Sequence, residues 1–119
     1  MPGDFRSVLL VEDDLLVGLF LTDILAGVGC EVIGPASTPM EAERLATEQS
    51  FDFAILDVGL VGGTSFKAAE ILTSRGLPFL FLTAYGASGI REDLRSNPIL
   101  AKPVEVEVLR AHLRRAGVA

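Results

Sequence analysis

The chain has 119 residues, with 10 Lys+Arg against 16 Asp+Glu, a formal net charge of −6 and a hydrophobic fraction of 50%. This is the size of a single domain, residues 1–119, apolar enough to build a core without disulfide or metal staples. The acidic balance speaks against tight nucleic-acid binding, which needs Lys and Arg at the phosphates, and the one cysteine, Cys30, excludes an internal disulfide and multi-cysteine metal fingers.

No signal-peptide pattern opens the sequence, because MPGDFRSVLLVEDD reaches acidic residues after only four apolar ones. The longest apolar stretch, residues 15–21, is far shorter than the ~20 residues a membrane helix needs. A cytoplasmic location is expected, with neither nucleic acid nor membrane as a partner. The starting Met and the stop after the last helical pattern make a stand-alone domain the expectation.

Strand and helix patterns alternate five times along the chain. SVLLV at residues 7–11 is a buried strand ending in acids. Asp14 is placed to cap a helix over residues 15–26, which Gly27 and Gly29 stop. If Val17, Leu21, Ile24, Leu25 and Val28 face the sheet, Leu15 and Leu19 point outward as an i, i+4 apolar pair. EVIG at residues 31–34 is a short second strand. Thr38-Pro39-Met40-Glu41 puts Thr at the N-cap, Pro at the first helical position and Glu at the third, a capping box. Ala42, Leu45 and Ala46 give that helix its apolar stripe.

FAIL at residues 53–56 is the third strand, ending at Asp57. A glycine-rich segment, residues 59–63, reads as a flexible loop; it lacks the Lys of a phosphate-binding loop. A helix follows over residues 65–74, with Gly76 behind it. Residues 79–82 form the fourth strand, residues 88–96 a short and poorly patterned helix, and residues 99–101 the fifth strand. The last helix covers residues 104–116, with Val108, Leu109, Leu113 and Ala116 on one side. His112, the only histidine, has no partner at ligand spacing and reads as a surface or half-buried residue. Cys30 reads as a small apolar filler.

The strands are nearly continuous apolar runs, as a parallel sheet covered on both faces requires. Five β-α units with right-handed crossovers predict an α/β, doubly wound sheet, and such sheets bind ligands at the carboxyl ends of their strands. Those ends carry Glu12 and Asp13 after the first strand, Asp57 after the third, Thr83 after the fourth and Lys102 after the fifth. Two like charges about 5 Å apart cost roughly 3 kcal/mol at an effective dielectric near 20. Lys102 offsets part of this repulsion, and a hard cation such as Mg2+ suits the remainder. A carboxylate nucleophile, a metal, a lysine and a hydroxyl together make a phosphoryl-transfer site.

These residues carry a resemblance to a family. VLLVEDD (8–14), LDVGL (56–60), LTAYG (82–86) and AKP (101–103) resemble the motifs of a response-regulator receiver domain, in order and in strand context from end to end. The stretch PFLFLTAYG (78–86) is similar to the Pro-Phe-x-Phe-Ala-Thr-Gly-Tyr signature of stand-alone receivers of alphaproteobacterial type. The resemblance implies a flavodoxin-like (βα)5 fold with strand order 2-1-3-4-5. It implies that Asp57 is the phosphoacceptor and that Asp13, Glu12 and Asp57, with the Gly59 carbonyl, hold Mg2+. Thr83 would bond the phosphoryl group, Lys102 would neutralise one of its oxygens, and Ala84 would leave the entrance open. It implies a cis Lys102-Pro103 peptide. It also implies a sensor histidine kinase or histidine phosphotransfer protein as donor, docking at Leu15 and Leu19, and a downstream protein as receiver of the signal.

The sequence departs from the family at several points. Glu12 stands where Asp is frequent, Val61 where Pro is usual and Ser65 where Gly is usual. Ile99 replaces the aromatic that serves many receivers as a switch, so Tyr85 is the aromatic expected to report phosphorylation. Thr83 and Lys102 are 102 − 83 = 19 positions apart, short for the family, so the helix between them is expected to be stunted. Two other readings stay open. An aspartate-nucleophile phosphohydrolase shares this chemistry, but needs a second acid two residues after the nucleophile, where this chain has Gly59. A phosphorylation-independent interaction module would have no use for the intact acids, Thr83 and Lys102.

Overall fold

The computed structural model describes residues 6–118. Five strands form one parallel sheet: β1 (Arg6–Val11), β2 (Cys30–Ala36), β3 (Phe53–Asp57), β6 (Phe79–Thr83) and β7 (Ile99–Ala101). Their order, β2-β1-β3-β6-β7, is the doubly wound order expected from the sequence. The α-helices are α1 (Leu15–Gly27), α2 (Pro39–Glu48), α3 (Phe66–Arg75) and α4 (Val106–Arg115).

The continuous apolar strands work as a period-2 pattern with both faces buried. Val8, Leu10, Ile55, Leu80 and Leu82 pack with Leu21 and Leu25 of α1 and Leu109 and Leu113 of α4. Leu9, Val11, Leu56, Phe79 and Phe81 pack on the opposite face with Ala42 and Leu45 of α2 and Ala69 and Leu72 of α3.

Several local expectations are corrected. The fourth helix is replaced by two 3-10 turns, Gly86–Gly89 and Glu92–Leu94. Ile90 and Leu94 are the buried apolar residues of this segment, a narrow apolar stripe for a regular amphipathic helix. The glycine segment after Asp57 is not a shapeless loop: β4 (Gly59–Leu60) and β5 (Gly63–Thr64) make a small antiparallel hairpin. The capping box is half formed as expected. Thr38 Oγ1 accepts from the Glu41 amide, but Glu41 Oε1 accepts from the Ser37 amide. Val108 and Ala116 are exposed, because α4 has only a narrow stripe, Leu109 and Leu113, against the sheet.

β2 is longer than expected and runs through Gly34 and Pro35, where the β1–β2 register slips by one residue. Both Gly34-Pro35 and Lys102-Pro103 are cis, the second as expected and the first unforeseen. Gly34 has φ 104°, and a Cβ there would lie 2.6 Å from the Leu10 carbonyl oxygen and 2.8 Å from the Ala36 nitrogen. Both neighbours are backbone and cannot rotate away. Gly34→Ala is therefore expected to lower stability by about 2 kcal/mol or more in denaturant unfolding. An unchanged midpoint would contradict this account of the bulge.

Candidate functional site

Strand parity assembles the site. Val8 and Leu10 face α1 and α4, so the alternation carries Glu12 toward the same side. Ile55 carries Asp57 there, and Leu100 carries Lys102. Thr83 follows Phe81 and has the opposite parity, toward α3 and the 3-10 turns.

The predicted acids and lysine meet. Carboxylate oxygens of Glu12, Asp13 and Asp57 lie within 4.8 Å of one another. Glu12 is 2% exposed, Asp57 is buried and Asp13 is exposed at the rim. Lys102 Nζ stands 3.1 Å from Glu12 Oε1 and 3.1 Å from Asp57 Oδ2, binding the two buried acids together. Glu12 Oε2 accepts from the Asp14 amide at 3.1 Å, whereas Oε1 has the charge of Lys102 near it but no directed hydrogen bond. Asp14 itself is the helix cap it was expected to be, accepting from the Val17 amide at 3.0 Å.

Burial pushes the Asp57 carboxyl up to about 7, the nearby Glu12 carboxyl pushes the same way, and Lys102 pulls it back. Burial works against the Lys102 charge, but the contacts with Asp57 and Glu12 outweigh it and hold the ammonium above its ordinary range. With all three acids ionised, one ammonium leaves two negative charges unmatched. A buried carboxylate oxygen without a hydrogen-bond donor, beside two further carboxylates, is a donor set that fits a hard divalent cation.

Thr83 is buried at the end of β6. Its Oγ1 accepts from the Tyr85 amide at 3.0 Å, and its carbonyl accepts from the Lys102 amide at 3.0 Å. Ala84 is exposed beside it, and Tyr85 is 80% exposed. Gly59 is exposed at the first position of the hairpin, paired with Thr64. Leu15 and Leu19 are 75% and 55% exposed on α1, as the helix spacing predicts. Leu16 and Phe20 are exposed as well, which the sequence reading missed. Residues 15–21 are apolar all round, so periodicity alone does not show where the buried stripe ends. Phe20 and Val17 line a groove with Lys102, Pro103 and Val104, next to the site.

Residues 8–114 match the response regulator receiver domain family, and the chain belongs to that family of two-component signalling domains. It is 32% identical over 108 residues to the transcriptional regulatory protein PdtaR of Mycobacterium tuberculosis, covering 87% of this chain and 53% of that protein. The chain spans about half the length of the curated relatives it matches first. Its fold superposes on SdrG from Sphingomonas melonis Fr1 with a TM-score of 0.82 at 31% identity, covering 97% of this chain and 98% of that one. The receiver domain of the sensor histidine kinase PA1611 from Pseudomonas aeruginosa PAO1, described with a magnesium ion coordinated in its active-site cleft, matches with a TM-score of 0.75 at 26% identity, over 94% and 98% of the two chains. Among the described residues no helix is long and apolar enough to cross a membrane.

The raised Asp57 pKa has a consequence for stability. Between its ordinary value of 3.8 and about 7 the folded chain holds a proton that the unfolded chain releases. This group's contribution is therefore present below about 4 and is lost as pH rises through about 7. Asp57→Asn removes the buried charge, so the variant should be the more stable protein at neutral pH, with the gap closing toward about pH 4. Urea unfolding across that range checks it. A gap independent of pH would contradict the assignment.

Proposed function

We propose that Asp57 is the phosphoacceptor of a response regulator, charged by a phosphohistidine of a sensor histidine kinase or a histidine phosphotransfer protein. The observation that carries this reading is the buried Asp57 carboxylate held 3.1 Å from Lys102 in a three-acid cluster at the carboxyl edge of the sheet. An Asp57 carboxylate oxygen attacks the phosphorus, the P–N bond to imidazole breaks, and an acyl phosphate forms as the donor imidazole takes a proton. Lys102, already beside Asp57, neutralises a phosphoryl oxygen, and the Thr83 hydroxyl, whose oxygen accepts from the Tyr85 amide, keeps its own proton to donate to another.

Glu12, Asp13 and Asp57, with the Gly59 carbonyl, would hold Mg2+. When bound, the ion offsets the charge gathered on the phosphoryl oxygens during in-line transfer. Exposed Ala84 leaves the approach to Asp57 open. The chain has no acid at position 59 to activate water, so it promotes only its own phosphorylation and slow hydrolysis. It passes the signal on by protein contact in the cytoplasm. Residues 1–119 act as one receiver unit.

Tyr85 reports the state of the site, because its amide is bonded to the Thr83 oxygen and the backbone there moves when Thr83 is drawn toward the phosphoryl group. The donor docks on the apolar end of α1, where Leu15 and Leu19 lie exposed beside the Glu12 and Asp13 edge.

Asp57→Asn should abolish labelling by acetyl phosphate with Mg2+, and Asp13→Ala should lower its rate by at least about tenfold, as expected for loss of a charged group at the metal. Leu15→Glu with Leu19→Glu should slow transfer from the cognate kinase while sparing labelling by acetyl phosphate. Full labelling of Asp57→Asn would sink the phosphoacceptor assignment. Equal loss with both donors would mark damage to the fold, and transfer from the kinase at the wild-type rate would remove α1 as the docking element.

A further inference from the structure

We propose that Gly89 is a positioning residue for the Thr83 hydroxyl: its missing side chain is the space in which Thr83 and Tyr85 rearrange when the phosphoryl group arrives. The inference rests on the reading of Asp57 as phosphoacceptor.

Gly89 differs from the turn glycine three residues before it. Gly86 has φ 66° and is needed for its backbone conformation, whereas Gly89 is not among the glycines with positive φ. Its requirement is one of space. A Cβ on residue 89 would lie 3.3 Å from the Tyr85 Cβ and 3.4 Å from Thr83 Oγ1. The second distance is ordinary contact; the first is a few tenths of an ångström too close. A methyl group here would rest against both partners of the hydrogen bond that orients the Thr83 hydroxyl.

The backbone of residue 89 has little room to retreat. Ile90 is buried in the α2–α3 core, and its amide donates to the Ala87 carbonyl at 3.0 Å. Arg91 is held to Glu70 of α3 at 2.7 Å and to Asp93 at 2.6 Å, with its guanidinium over the Phe66 ring. On the other side, Ser88 Oγ donates to the Tyr85 carbonyl at 2.9 Å and closes the turn. Thr83 is equally fixed in its main chain, through the bond from the Lys102 amide. Motion at this corner is therefore left to the Thr83 side chain and to Tyr85. Both border the space at residue 89.

Thr83 has the opposite parity from Asp57, so its oxygen moves to reach a phosphoryl oxygen there, and the Tyr85 amide bonded to that oxygen is disturbed with it. A methyl on residue 89 crowds Tyr85 and leaves the Thr83 side chain less room to turn. Thr83 is not in the acid cluster, so cation binding is separate from this restriction.

The test uses the whole chain and beryllofluoride as the phosphoryl mimic. In calorimetric titrations at saturating Mg2+, Gly89→Ala should weaken beryllofluoride binding roughly tenfold, the effect of crowding by one methyl group. Binding of Mg2+ alone should change less than about twofold, within the error of independent sites. In the Thr83→Ser background, where the hydroxyl rotates without the neighbouring methyl, Gly89→Ala should cost less than it does with Thr83, the contact with Tyr85 being what remains. Equal beryllofluoride binding by wild type and Gly89→Ala would overturn the proposal. So would a loss undiminished in the Thr83→Ser background, which would take Thr83 out of the effect, or one accompanied by loss of Mg2+ binding, which marks general damage. Failure of the wild type to bind beryllofluoride would overturn the phosphoacceptor reading and this one with it.

Discussion

The contact between Lys102 and the two buried acids is the constraint around which the rest of the molecule is arranged. Removing a carboxylate from water costs several kcal/mol after relaxation unless a partner compensates. Glu12 and Asp57 are both buried and both negative, so each makes the other's burial harder. Lys102 Nζ, 3.1 Å from each, is what makes the pair tolerable. The compensation is incomplete, as the Asp57 pKa near 7 and the undirected Glu12 Oε1 show. A site with residual negative charge and a carboxylate oxygen that no directed hydrogen bond satisfies fits a hard divalent cation. The sheet supplies the rigidity this needs. Strands β1, β3 and β7 enter with matched parity, and apolar layers on both faces prevent the acids from relaxing into solvent.

Thr83 stands on the other side of this frame, joined to it by backbone. Its carbonyl is bonded to the Lys102 amide, while its hydroxyl is bonded to the amide of Tyr85. One residue thus links the charged cluster to the 3-10 turns that replace a helix. Those turns are pinned at Ile90, Leu94 and Arg91, while residues 84–88 between β6 and the first of these anchors are exposed. Low burial next to a well-anchored stretch is the physical setting for a local rearrangement with a short reach. The exposed Tyr85 ring fits that setting, since its motion would disturb no core contact.

Much of this was legible in the sequence. Apolar strands ending in Glu12, Asp57, Thr83 and Lys102 define both the sheet and its functional edge, because a parallel sheet gathers strand ends. The 19-position spacing from Thr83 to Lys102 called for a stunted helix, and the structure goes further, to two 3-10 turns. Other features were hidden for identifiable reasons. The extension of β2 through Gly34 and Pro35 runs against every local preference and depends on a register slip with β1. The hairpin after Asp57 is made of two-residue strands, too short for any periodicity. Leu16 and Phe20 lie in a run apolar on all sides, so only packing could reveal that they stay outside. The role of Gly89 is a matter of distances to side chains four and six residues earlier, which no motif records.

The most direct measurement is chemical localisation of the phosphoryl group. The chain is incubated with acetyl phosphate and Mg2+, and the product is reduced with borohydride, which converts an aspartyl phosphate to homoserine. Peptide mass spectrometry then reads the position. The account predicts homoserine at residue 57 and at no other aspartate, dependent on Mg2+. Modification at Asp13 or elsewhere in place of Asp57, or none under conditions that label a known receiver, would contradict it.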